Sequence, residues 1–175
     1  MSPFFILFMT RDKSYFLLLS LLLIFVVSLT DFFDGYYARK HELVTELGKY
    51  LDPIADKIFV LTVFFTLYFI LGNNIFPLWM IILILLRDVF ITILRNFFKA
   101  KNLQFTTSKL AKSKTLTQIA CMHLIVLILI SNAFSILVID TSSIYYIMFF
   151  CTIVTLLSGV SYIYQYYSEG SNGSY

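Results

Sequence analysis

Charged residues are scarce in this chain. Only 13% of its 175 residues are Asp, Glu, Lys or Arg, about half the usual share for a soluble domain, while 59% are hydrophobic. So few charges cannot cover the water-facing surface of a protein of this size. The composition therefore excludes an ordinary soluble domain and predicts an all-α, polytopic membrane helix bundle.

Cysteine and histidine are also sparse. Cys121 and Cys151 both lie in apolar runs, without metal-ligand spacing or a disulfide framework, so we expect buried, unreactive thiols. His123 lies in an apolar run, which favours a helix–helix contact over a ligand role. The apolar run over residues 3–9 is too short for a cleaved signal peptide. Strand-like alternation and internal repeats are absent from the sequence.

Long apolar runs are present instead. A membrane-spanning helix needs about 20 apolar residues. Five runs approach that length: residues 15–30, 54–71, 75–94, 116–139 and 144–167. We predict a single transmembrane domain over residues 1–167, followed by a disordered polar tail over residues 168–175.

Basic residues cluster in two of the connections between these runs. An excess of Lys and Arg marks the cytoplasmic side of a membrane protein, so both connections are predicted to be cytoplasmic. The first group is Arg39, Lys40, Lys49 and Lys57, and the second is Arg95, Lys99, Lys101, Lys109, Lys112 and Lys114.

Two pairs of aspartates flank the first cytoplasmic connection. Asp31 and Asp34 are three residues apart, and Asp52 and Asp56 are four apart. Both spacings place a pair on one face of a helix. Because the connection is short, we expect the two helices to be antiparallel neighbours whose four carboxylates converge near the cytoplasmic end of the bundle.

Four carboxylates beside lipid need a counter-charge. One ionised Asp at the centre of a membrane helix costs about 2.5–3.5 kcal/mol, and four together repel one another. Carboxylate oxygens suit hard divalent cations such as Mg²⁺ or Mn²⁺, and two cations about 4 Å apart suit phosphoryl transfer. The sequence therefore predicts a two-metal site at these four aspartates.

The complete pattern from Asp31 to Asp56 reads D-x2-D-G-x2-A-R-x8-G-x3-D-x3-D. It resembles the signature of the CDP-alcohol phosphotransferase family at every fixed position. The resemblance implies a membrane bundle of six helices, usually a homodimer. It also implies transfer of a substituted phosphate from a CDP-linked donor to an alcohol, with release of CMP. Residues 3–9 resemble only the tail of the family's first helix, so we expect five full transmembrane helices and a truncated first one.

The resemblance also implies roles for individual residues. The metal ligands would be Asp31, Asp34, Asp52 and Asp56, with Asp56 also the catalytic base that deprotonates the acceptor hydroxyl. The residues expected to bind CDP are Asp31, Asp34, Gly35, Ala38, Arg39, Gly48 and Asp52.

Three stretches resemble the phosphatidylglycerophosphate synthase branch of the family. These are residues 45–57, residues 86–95 with Asp88 in place of the usual Glu, and residues 108–118 with Ala111 in place of Gly. An acceptor that carries a phosphate needs cations, and Arg can bind a phosphate with two hydrogen bonds. The residues expected to bind the acceptor phosphate are Arg87, Arg95, Lys109, Lys112 and Lys114.

Two of these assignments keep alternatives. The lysines equally suit the positive-inside rule or contact with anionic lipid. Arg87 lies deep in an apolar run, where a charge is functional by default, although Asp88 or one of the four acids could simply pair with it.

The expected partners are CDP-diacylglycerol, glycerol 3-phosphate, the lipid bilayer and a second copy of the chain, with no nucleic acid. The expected location is a bacterial cell membrane, with the active site on the cytoplasmic side. A cardiolipin synthase that uses phosphatidylglycerol, a divalent-cation transporter and a catalytically inactive scaffold are the competing hypotheses.

Overall fold

Six α-helices make up the described part of the chain in a computed structural model, and no strand occurs in that part. The description covers the backbone of residues 2–11, 14–40, 46–100 and 109–172, and the side chains of residues 3–11, 14–30, 33, 55, 57–94, 97 and 114–163. The helices are α1 (Ser2–Met9), α2 (Ser14–Lys40), α3 (Glu46–Leu71), α4 (Leu78–Ala100), α5 (Lys109–Ala133) and α6 (Ser142–Asn172).

Two helices contain segments that are long and apolar enough to cross a bilayer, namely Lys114–Ala133 in α5 and Ser142–Ile163 in α6. Shorter apolar segments occur at Ser14–Thr30 and Lys57–Leu71. Large apolar side chains are exposed along the outside of the bundle, as lipid contact requires; Phe69, for example, is 78% exposed. The prediction of an all-α membrane helix bundle is confirmed, while the number of spans beyond these two stays a prediction.

Contacts among the helices place α5 and α3 at the centre of the bundle. Helix α5 packs against α2, α3 and α6, and α3 also contacts α1 and α4, which in turn packs on α6. The buried core takes side chains from all these helices, including Phe5, Phe64, Ile81, Ile125 and Met148. The contact expected between α2 and α3 at their acidic ends involves side chains outside the described set.

Polar side chains inside the bundle use the backbone of their own helix. The Thr66 hydroxyl donates to the carbonyl of Thr62 at 2.7 Å, and the Thr152 hydroxyl donates to the carbonyl of Met148 at 2.8 Å. Such bonds satisfy a hydroxyl where no water is present. Small polar residues also let neighbouring helices approach closely.

The turn after α3 depends on Gly72. Its φ is +76°, in the left-handed region, and its N–H donates to the carbonyl of Tyr68 at 2.9 Å. This is the common glycine end of a helix. The Asn73 side chain then accepts a hydrogen bond from the N–H of Leu78 at 3.0 Å, so α4 begins at Leu78 rather than at residue 75, where the apolar run begins.

The loop between α5 and α6 corrects a second predicted boundary. The apolar run continues to residue 139, but α5 ends at Ala133. The Asn132 side chain exchanges two hydrogen bonds with the backbone of Ile139, at 2.7 and 2.8 Å, and holds the intervening segment as a loop. At the other end of the chain, α6 continues to Asn172 and so enters the predicted polar tail; the division into domain and tail stays a prediction.

The two isolated residue types behave as the sequence indicates. Cys121 and Cys151 are both free and buried. His123 donates through Nδ1 to the carbonyl of Ile119 at 2.8 Å, and its ring meets Phe25 of α2 edge-on at 6.3 Å between centroids. The expected helix–helix contact of His123 is therefore confirmed.

Substitution of Gly72 tests the turn. We expect Gly72→Ala to lower stability by about 1–2 kcal/mol, because a Cβ at positive φ is strained even though no atom lies within 4 Å of it. Thermal unfolding in detergent measures the effect. Gly72→Asn is the control and should cost less, since Asn tolerates this conformation. An Ala variant as stable as the parent would contradict the assignment.

Candidate active site

The four aspartates lie on two helices, as the sequence predicts. Asp31 and Asp34 belong to α2, and Asp52 and Asp56 belong to α3, so the helical spacing within each pair holds. Their side chains are not among those described. Of the described side chains, no three His, Cys, Asp or Glu residues cluster as metal ligands. Convergence of the four carboxylates stays a prediction.

The expected CDP-binding residues share this situation. Gly35, Ala38 and Arg39 belong to α2, and Gly48 belongs to α3. Their surroundings lie outside the described side chains, as do those of Arg95, Lys109 and Lys112 from the expected acceptor site. Of the five residues expected in the acceptor site, Arg87 and Lys114 are the two whose side chains are described.

Arg87 and Lys114 belong to a buried polar cluster that joins four helices. We call it the Asp88 cluster. It consists of Lys57 from α3, Arg87, Asp88 and Thr92 from α4, Lys114 from α5 and Ser158 from α6.

The centre of the cluster is the Asp88 carboxylate. Its Oδ1 accepts a hydrogen bond from Arg87 Nη1 at 2.9 Å and another from Lys114 Nζ. The side chains of Asp88, Arg87 and Lys114 are only 11%, 7% and 14% exposed, respectively. Neighbouring residues of a helix ordinarily face different directions, so the long Arg87 side chain must curl back to reach Asp88. The alternative in which Asp88 pairs with Arg87 is thus realised.

One carboxylate does not neutralise two cations. Among the described side chains, Arg87 and Lys114 carry two positive charges and the only carboxylate that contacts them is that of Asp88, which leaves one positive charge in excess. Charge interactions are strong in a poorly hydrated interior. The pair therefore remains attractive to an anion although Asp88 already contacts both cations.

Lys57 connects this cluster to the acidic end of α3. Its Nζ donates to the Thr92 hydroxyl and to the backbone carbonyl of Asp88, the latter at 3.4 Å. Lys57 directly follows Asp56 in the chain. Asp56, the expected catalytic base, is therefore the sequence neighbour of Lys57, whose side chain belongs to the Asp88 cluster.

Helix α6 fixes the other side of Arg87. Arg87 Nη2 donates to the Ser158 hydroxyl at 2.9 Å, and the guanidinium lies 5.8 Å from the centre of the Tyr162 ring. Gly159 provides the necessary space, since a Cβ there would be 3.2 Å from Arg87 Cγ and 3.3 Å from Nε. Within the described residues, Arg87 Nε is buried without a hydrogen-bond partner.

Sequence reasoning missed part of this cluster. Lys57 counted only as a basic residue of the first connection, and Ser158 and Thr92 carried no signal. The position of Lys57 after the last aspartate was the available hint. Ser158 and Gly159 could not be found, because 71 residues separate Ser158 from Arg87.

Comparison with known proteins identifies the family. The family model for CDP-alcohol phosphatidyltransferase matches residues 1–158. A CDP-diacylglycerol--glycerol-3-phosphate 3-phosphatidyltransferase of Rickettsia bellii (strain RML369-C) is 37% identical over 145 residues, which cover 83% of this chain and 77% of the relative. The protein of the same name from Rickettsia typhi (strain ATCC VR-144 / Wilmington) is 38% identical over 144 residues, covering 82% and 78%.

Bacillus subtilis supplies a further relative. The protein of that name from Bacillus subtilis (strain 168) is 38% identical over 106 residues, which cover 61% of this chain and 53% of the relative. The resemblance indicated by the aspartate pattern is confirmed. With its family model matched over most of its length, this chain belongs to the CDP-alcohol phosphatidyltransferase family.

Proposed function

We propose that this chain transfers the phosphatidyl group from CDP-diacylglycerol to sn-glycerol 3-phosphate, which yields phosphatidylglycerophosphate and CMP. The observation that carries the proposal is the excess positive charge of Arg87 and Lys114, buried beside α3. An acceptor with its own phosphate needs such a site, whereas a neutral alcohol does not. The names of the relatives agree with this substrate pair.

The donor end of the reaction belongs to the four aspartates. Carboxylate oxygens at Asp31, Asp34, Asp52 and Asp56 fit Mg²⁺ or Mn²⁺, and the family generally depends on a divalent metal. We propose two ions there. When bound, they would neutralise the diphosphate and stabilise the leaving CMP. Gly35, Ala38 and Gly48 lack bulky side chains and would leave room for the cytidine, with Arg39 near the diphosphate.

The acceptor end belongs to the Asp88 cluster. Glycerol 3-phosphate would place its phosphate on Arg87 and Lys114, with Arg95, Lys109 and Lys112 completing the site. Lys57 joins the cluster to the residue after Asp56. We propose that an acceptor anchored here extends its 1-hydroxyl toward Asp56.

The chemical step is a displacement at phosphorus. The acceptor 1-hydroxyl oxygen would attack the phosphorus that bears diacylglycerol, and the bond from that phosphorus to the CMP oxygen would break. Asp56 would accept the hydroxyl proton, which increases the nucleophilicity of the attacking oxygen.

The membrane arrangement completes the proposal. We propose a multi-pass protein with its active site on the cytoplasmic side of a bacterial membrane, acting as a homodimer. The two base-rich connections support that orientation through the positive-inside rule.

An acceptor panel tests the substrate directly. Purified protein is incubated with CDP-diacylglycerol, Mg²⁺ or Mn²⁺, and either glycerol 3-phosphate, phosphatidylglycerol or no acceptor. We expect CMP release with glycerol 3-phosphate and loss of that release with EDTA. Release of CMP with phosphatidylglycerol alone would instead identify a cardiolipin synthase.

Two aspartate variants separate binding from chemistry. We expect Asp56→Asn to abolish turnover while largely keeping CMP binding, because the base is lost but three metal ligands remain. Asp34→Asn should lose both, since it removes a metal ligand that also lies in the CDP site. Turnover and calorimetric CMP binding measure these effects. Unchanged CMP binding in Asp34→Asn would contradict its ligand role.

Neutralising Arg87 tests the acceptor site. A charge-assisted hydrogen bond contributes about 1.5–3 kcal/mol, so Arg87→Gln should raise the KM for glycerol 3-phosphate at least about tenfold. The KM for CDP-diacylglycerol should stay nearly constant. Arg11→Gln, at an exposed position outside the cluster, is the control. Equal changes in both KM values would argue against a phosphate contact.

A further inference from the structure

The proposed reaction gives Asp88 no role, yet Arg87 and Lys114 both donate hydrogen bonds to its carboxylate. It is 9% exposed and carries the only described carboxylate that contacts Arg87 or Lys114. A buried acid beside an anion-binding site is unfavourable by itself, because it repels the phosphate. We therefore expect Asp88 to favour phosphate binding in a way that offsets this repulsion.

We propose that Asp88 is a positioning residue for the acceptor phosphate, and that Gly159 is the second part of the same device. Asp88 holds Arg87 of α4 and Lys114 of α5 on one oxygen atom, so that two cations from different helices stay together. Gly159 gives the Arg87 side chain the space to lie in that arrangement. This inference rests on the proposed function, because it assigns these cations to the phosphate of glycerol 3-phosphate.

The hydrogen-bond inventory supports a positioning role. Arg87 has five N–H donors, of which one goes to Asp88 and one to Ser158. Lys114 has three, of which Asp88 takes one. Among the described residues, Nε of Arg87 has no acceptor although it is buried. Asp88 thus contacts both cations while it uses only one donor from each.

Without Asp88, nothing described would hold the two cations together. Two buried positive charges repel each other, and each would move toward water or another partner. Arg87 would retain only Ser158 and the Tyr162 ring as contacts from α6. The phosphate would then have to order the two side chains when it binds. The conformational entropy lost in that ordering lowers the affinity for the phosphate.

Gly159 constrains Arg87 from the opposite side. A methyl group there would lie 3.2 Å from Cγ and 3.3 Å from Nε, closer than ordinary van der Waals contact. Arg87 is held at both terminal guanidinium nitrogens, Nη1 and Nη2, so its stem cannot move away without losing Asp88 or Ser158. Gly159→Ala therefore displaces Arg87 without changing any charge.

The sign of the effect on KM discriminates between the two possible roles of Asp88. If Asp88 only lowers the positive charge, Asp88→Asn strengthens the attraction and the KM for glycerol 3-phosphate falls. If Asp88 positions the cations, that KM rises. We expect a rise of about tenfold or more, with the KM for CDP-diacylglycerol nearly unchanged. Asp88→Glu, which restores the charge, should recover most of the parental KM.

Gly159→Ala provides the second measurement. Alanine favours a helix more than glycine does, so Gly159→Ala should not destabilise α6 through its backbone conformation. We expect the same selective rise in the KM for glycerol 3-phosphate. Two matched controls should leave both KM values unchanged. Val160→Ala changes an exposed position on α6 and is the control for Gly159→Ala. Asp140→Asn keeps a helix-capping side chain and is the control for Asp88→Asn.

The outcomes are distinct. A selective rise in Asp88→Asn and Gly159→Ala, with recovery in Asp88→Glu, supports the proposal. A lower or unchanged KM in Asp88→Asn overturns it, as does an equal change for both substrates. If Asp88→Asn does not yield folded protein, an unchanged KM in Gly159→Ala overturns it. Failure of the unaltered protein to use glycerol 3-phosphate would instead overturn the proposed function.

Discussion

A buried carboxylate must be neutralised, and the polar cluster that joins α3, α4, α5 and α6 follows from that constraint. Asp88 meets it with two cations, Arg87 from its own helix and Lys114 from α5. Ionised side chains in such surroundings are expensive and persist only with partners. Among the described side chains, the two cations exceed the one carboxylate that contacts them, and we propose that this excess attracts an anion.

The same interaction ties the helices together. Lys57 brings α3 to the backbone of α4, Lys114 brings α5, and Ser158 brings α6 through Arg87. Apolar packing alone gives little specificity between helices in a bilayer, because lipid is as apolar as the side chains. Polar contacts at defined positions specify the mutual register of the helices. In this protein those contacts lie next to the helix end that carries Asp52 and Asp56.

The sequence predicted the fold class and most helices, because apolar runs of membrane length leave few alternatives. It located helix ends poorly. The end of α5 at Ala133 depends on Asn132 binding the backbone of Ile139, a contact that the continuous apolar run conceals. Composition and periodicity report which face is apolar, whereas helix ends depend on single capping contacts.

The candidate site divides in a similar way. The aspartate pattern is local, so its helical spacing could be read from the sequence and was confirmed. The pairing of Arg87 with Asp88 was one of two open alternatives, since the residues are adjacent. The contribution of α6 could not be predicted, because it depends on which helices are neighbours. Gly159 in particular has meaning only once Arg87 is known to lie against it.

In the proposed mechanism, the phosphate of the acceptor binds Arg87 and Lys114 while Asp88 holds these two cations together. Solid-state NMR on protein with ¹⁵N-labelled arginine in membranes, loaded with CMP, divalent metal and glycerol 3-phosphate, measures the ¹⁵N–³¹P dipolar coupling to the phosphate. Direct hydrogen bonds of about 2.7–2.9 Å between nitrogen and oxygen predict strong dephasing of a guanidinium signal that disappears in Arg87→Lys, and no such dephasing in a matched sample with CMP and metal but without glycerol 3-phosphate. Bound glycerol 3-phosphate without dephasing of that signal would contradict the account.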